Sequence, residues 1–329
     1  MIGGIIIGVL ILFVVGYLLL NVMYRRTNAY KNSSIEIRGV TEGLKREVAI
    51  VNTGSTYSRF AFEECNSLKI RGLNLSFSPQ SIAADYALLK AFSKHIPPGS
   101  VVCITLAACA MLYRQSMRTD NSLYYTVIGQ GINEFKLSDW LKSKLPLFPL
   151  KIRKGFHIIK DVLPKHNLKN NSDTVLSEEK AIANMVGLAE VWMKLFHLSD
   201  LTNTWLSDVN KRSLEENEKL LFDFVSYCKS KSWRAVFVVT PFSKHLNCLF
   251  SEDFTEAILT SLIHRVSEQQ GIPVFNYQHD KAFQDDLSLY VDGGFRLSKR
   301  GGTRFIKMLF ADMAKRGYKA DNSTMGIYG

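Results

Sequence analysis

The run Val48-Ala49-Ile50-Val51-Asn52-Thr53-Gly54-Ser55 decides the fold. Four apolar residues, three of them β-branched, read as a buried strand, and Asn-Thr-Gly-Ser ends it in a tight turn. Working outward, short apolar runs predict further strands over 68–73, 101–106, 235–239 and 273–275. Ser78-Pro79-Gln80 opens a helix with Ile82, Ala83, Tyr86, Leu89 and Phe92 at helical spacing, and Pro97-Pro98-Gly99 closes that unit. Helical patterns over 215–229 and 254–269 precede the last two strands. Strand and helix alternate, so the expectation is an α/β fold with a mostly parallel sheet covered on both faces.

Residues 2–23 carry no charged side chain and are rich in Ile, Val and Leu. That is about the ~20 residues needed to cross a hydrocarbon core. The run leads into Tyr24-Arg25-Arg26, with neither the basic start nor the small-residue cleavage site of a secretory signal. An uncleaved transmembrane anchor is therefore expected over 1–24, followed by a polar linker over 25–46. Arg25, Arg26, Lys31, Arg38, Lys45 and Arg46 follow the apolar run, a bias that puts the soluble domain on the cytoplasmic face.

The remaining sequence reads as one domain over 47–316, with a tail over 317–329. It is interrupted at about 111–211, a stretch with one good helix near 178–198. A structureless loop of that size is improbable, so the interruption is expected to be an inserted lid or subdomain. Within it, residues 140–169 interleave Lys142, Lys144, Lys151, Arg153 and Lys154 with Trp140, Leu147, Phe148 and Phe156. Basic and large apolar side chains together suit an interfacial segment on an anionic bilayer. The net charge of +11 is assigned to that membrane surface rather than to nucleic acid.

The five cysteines show no C-x-x-C spacing and mostly sit in apolar segments, so neither a disulfide framework nor a zinc site is indicated. Phosphate-binding glycine motifs are absent as well. No metal or organic cofactor is implied.

Ser55 stands where the first strand turns toward a helix. Its hydroxyl could face a cleft there, or it could cap a helix containing Phe60, Ala61 and Phe62. Further blocks follow in order: Gly72-Leu73-Asn74-Leu75-Ser76, Val239-Thr240-Pro241, and Asp292-Gly293-Gly294-Phe295-Arg296-Leu297-Ser298 with Gly301. Taken in that order they resemble the SGNH/GDSL hydrolase superfamily, over about 48–309 excluding the interruption. The resemblance implies a three-layer, flavodoxin-like sandwich with Ser55 as nucleophile. It also implies Gly72 or Asn74 as oxyanion donors and Asp292 as the late acid.

The sequence departs from that pattern at Arg296, which stands where the family carries its histidine. A guanidinium holds its proton at neutral pH and cannot act as a general base. The base would then be His245 after the fourth strand, His279 after the fifth, or Asp292 itself, because a serine hydroxyl needs one. Two functions follow from the resemblance and the anchor. One is a serine esterase or O-acyltransferase at a bacterial plasma membrane, acting on an acylated glycan or lipid of the cell envelope. The other is a non-catalytic module of the same fold, a binding or assembly partner in envelope polysaccharide production, with Arg296 paired to Asp292 or to an anionic ligand.

Overall fold

The computed structural model describes residues 2–65, 67–132, 134–149, 153–154, 156–158 and 175–318. Two compact units emerge: 1–38 with 119–172, and 39–118 with 173–329. Of the 111–211 interruption, 119–172 fall in the smaller unit and the rest in the larger.

The larger unit holds a five-stranded, wholly parallel sheet in the order β2-β1-β3-β4-β5. The strands are β1 (Ile50–Thr53), β2 (Gly72–Asn74), β3 (Val101–Leu106), β4 (Arg234–Val239) and β5 (Val274–Asn276). Ile50 pairs with Gly72 on one side and Val101 on the other. All six residues of β3 are buried, the continuous apolar pattern of a central parallel strand. Side chains alternate across the pleat, and Val101, Cys103, Val236 and Val238 join a core with Phe62, Phe305, Ile306, Leu309 and Phe310. Those partners come from the helices Thr56–Phe62 and Lys299–Lys315. The helix Asp208–Ser230 buries Leu214, Leu221, Phe224, Val225 and Cys228 at helical spacing, and Phe224 stacks on Tyr86 of the helix Ile82–Ala91 at 5.4 Å.

β1 begins two residues later than its apolar run suggests. Ala49 and Ile50 both donate to the Arg71 carbonyl, and the ladder runs on through polar Asn52 and Thr53, both buried. Asn52 can sit in a strand interior because its amide is fully engaged. It donates to Ser58 Oγ, Asn74 Oδ1 and Ser76 Oγ at 2.7–2.9 Å and accepts from Thr105 Oγ1 at 2.7 Å. β2 is shorter than expected, since Lys69 takes a left-handed φ of 58° just before it.

The smaller unit contains the helix Ile2–Arg26, long and apolar enough to cross a membrane. Ile5, Leu12 and Phe13 are each more than 60% exposed along it. Its last turns differ. Asn21 and Tyr24 are buried, Leu147 N donates to Asn21 Oδ1 at 3.0 Å, and Tyr24 packs with Leu147 and Ile158. Within the described part of 140–169, Lys154 likewise turns back, donating to the Pro146 carbonyl at 3.0 Å. Residues 150–152, 155 and 159–169 of that segment, and 319–329 of the tail, lie outside the described residues. The stretch expected as a linker contains the helices Asn28–Ser33 and Ile35–Gly43, the first capped by Thr27, whose hydroxyl accepts from Tyr30 N. A capping oxygen at the right position suffices to start a helix in a polar stretch.

Cys65, Cys103, Cys109 and Cys228 are buried free thiols, and Cys248 is exposed. Burial pushes the thiols of Cys65 and Cys228 up to about 12, and those of Cys103 and Cys109 higher still.

Candidate functional site

The turn after β1 is built on Gly54. Its φ of 124° is in the left-handed region, and a Cβ there would stand 2.5 Å from the Thr105 carbonyl oxygen. Glycine therefore lets the turn close against the end of β3. Gly54 N donates to Asp85 Oδ1 at 2.9 Å, and the Gln80 amide donates to the same oxygen and to the carbonyls of Gly54 and Leu75. Burial pushes the Asp85 carboxyl up to about 7, against the lowering effect of its Gln80 and Gly54 hydrogen bonds.

Ser55 occupies the first position of the helix Thr56–Phe62, yet its side chain makes no capping bond. Its Oγ instead accepts from Gln80 N at 3.1 Å. Asp292 is committed to its own loop. Oδ1 accepts from the backbone N–H groups of Gly294, Phe295 and Arg296 at 2.9–3.1 Å, and Oδ2 accepts from Arg296 Nε at 2.9 Å. Asn184 of the helix Glu178–Phe196 donates to the Asp292 carbonyl at 3.0 Å. The Arg296 guanidinium lies 5.5 Å from the Phe60 ring centroid, which Arg59 also approaches at 4.6 Å.

Ser55, Gln80, Asn184, Asp292 and Arg296 line one cleft of about 550 Å³. Its floor follows the ends of β1 and β3, through Ser55 and Ala107. That is the point in the order β2-β1-β3-β4-β5 where successive connections diverge, the usual ligand position in open parallel sheets. The walls are largely apolar, with Tyr113, Leu188, Val191, Trp192, Leu195 and Phe295 prominent. Phe295 sets its ring against Trp192 at 5.1 Å, Phe242 at 5.7 Å and Tyr57 at 5.8 Å.

The other expected site residues lie elsewhere. Gly72 and Asn74 do not line the cleft. Gly72 pairs within the sheet against Cys65, and Asn74 belongs to the Asn52 network, donating to the Arg59 carbonyl at 3.2 Å. His245 follows β4, with Nε2 3.5 Å from Glu178 Oε1. His279 is exposed after β5, its carbonyl accepting from the Gln284 amide. Neither imidazole lines the cleft, and no hydrogen bond among the described residues joins Ser55 to Asp292, His245 or His279.

Gln80, Asp85, Asn184 and Trp192 carry the site without having been singled out in the sequence. Asp85 did leave a signal: it is the one acid on a helix that also buries Ile82, Ala84, Leu88 and Leu89. No protein-family model matches the chain, and no curated protein matches it.

Proposed function

We propose that the chain is a membrane-anchored module with a three-layer, SGNH-like arrangement, whose cleft binds an acylated glycan or lipid of the cell envelope without serine-base catalysis. One observation carries this reading: the Asp292 carboxylate is consumed by three backbone N–H groups and Arg296, so it has no role left as a base for Ser55. Arg296 stands ready for an anion instead, at an apolar cleft with a few convergent polar groups. The helix Ile2–Arg26 serves as the single-pass anchor, and Arg25 and Arg26 favour a cytoplasmic domain.

A specific observation favours the second reading, an esterase or O-acyltransferase. The Ser55 hydroxyl is spared from helix capping and borders the cleft. Hydrolysis of a set of acyl esters by wild type, Ser55→Ala, His245→Ala and His279→Ala separates the two. The binding reading expects no Ser55-dependent turnover. Turnover that Ser55→Ala abolishes, and that one histidine variant cuts by about a hundredfold or more, would establish the enzyme.

A further inference from the structure

The cleft combines features that point to one class of ligand. Its interior is apolar, while Arg296 at its edge spends only Nε on Asp292, leaving Nη1 and Nη2 without a hydrogen-bond partner among the described residues. Those two nitrogens form a fork suited to a carboxylate or phosphate. The Arg59 guanidinium on the same Phe60 ring adds positive charge, although Glu63 offsets part of it. The cleft's rim is apolar too. Val191 and Leu195 both line it and are 59% and 38% exposed, where a soluble ligand site would more often present polar groups.

The chain itself indicates what meets that rim. On the anchor reading of the helix Ile2–Arg26, which is of membrane length, the cleft works on a chain held at a bilayer. We propose that the cleft takes the apolar chain of an anionic membrane lipid directly from the bilayer. Val191 and Leu195 dip into the lipid surface, the tail lies along Leu188, Trp192 and Phe295, and the anionic group pairs with Arg296. The proposal rests on the binding reading of the same cleft and adds to it the ligand's class and route of entry.

The test uses full-length protein in nanodiscs and two fluorescent probes of equal chain length, a long-chain fatty acid and the corresponding alcohol. Gly187 offers a plug: it lines the cleft on a helix, and a Cβ added there meets nothing within 4 Å. Gly187→Trp should weaken both probes about tenfold or more, and Arg296→Gln should weaken the acid by that factor while sparing the alcohol. Leu188→Asn, which puts a polar amide on the path of the tail, tests the same contact should the tryptophan disturb folding. With phosphatidylglycerol in the nanodisc, Val191→Glu should slow uptake of probe preloaded in that bilayer about tenfold relative to uptake of the same probe added as monomer. Binding that survives both Gly187→Trp and Leu188→Asn overturns the proposal, as does equal loss of acid and alcohol in Arg296→Gln. A rim charge that leaves uptake from the bilayer unchanged overturns the lipid route, and one that also dissociates a dimer assigns the rim to a second copy. Ser55-dependent ester turnover with intact probe binding overturns only the non-catalytic reading, so the two fail separately.

Discussion

At the residue scale, Asp85 has the clearest titration. Its buried carboxyl, pushed up to about 7, holds a proton more tightly in the folded chain than in the unfolded one, where its ordinary value is 3.8. The stability this gives is therefore fully present below pH of about 4 and is lost as pH rises through about 7, on the order of a few kcal/mol. Asp85→Asn keeps an oxygen for Gly54 N and removes the charge. Denaturant midpoints measured from pH 4 to pH 8 should fall less in Asp85→Asn than in wild type. Parallel pH profiles would show that Asp85 does not titrate in this range. The same residue shows why the site was only partly legible. Ser55, Asp292 and Arg296 stood out through a family pattern, whereas Asp85 and Gln80 act through hydrogen bonds to a turn distant in sequence.

Among the elements, the strands were legible because central parallel strands are continuous apolar runs, and β3 coincides with its predicted range. Boundaries moved where polar residues found buried partners, as Asn52 did. The two candidate histidines stand apart from the cleft for a topological reason. His245 and His279 follow β4 and β5, whereas the cleft opens where β1 and β3 end. The helix Glu178–Phe196 was expected, but its role as a cleft wall depends on contacts with the Asp292 loop, chiefly the ring of Phe295 against Trp192 and the Asn184 bond. Phe295→Ala should cost roughly 3 kcal/mol through the cavity it leaves. Hydrogen exchange should rise first in Glu178–Phe196. Uniform loss of protection across the sheet would mean that Phe295 supports the whole core instead.

For the whole molecule, the point where the apolar helix Ile2–Arg26 begins to make buried contacts matters more than its length. Full-length protein should pellet with membranes and resist carbonate extraction. Truncation through Leu20 should release folded protein, because it removes most of the exposed apolar run while keeping the buried contacts of Asn21 and Tyr24. Truncation through Arg26 should release a less stable species, lower by about 2 kcal/mol or more, since it strips Tyr24 from Leu147 and Ile158. Soluble full-length protein would remove the anchor reading. Four of the five thiols are sealed inside with their ionisation suppressed, which makes the unaltered chain its own topological reporter. Cys248 is a single addressable sulfur on the sheet-bearing unit. With a cytoplasmic domain, a membrane-impermeant maleimide should leave intact cells unlabelled and should modify one site, abolished by Cys248→Ser, as soon as the envelope is opened.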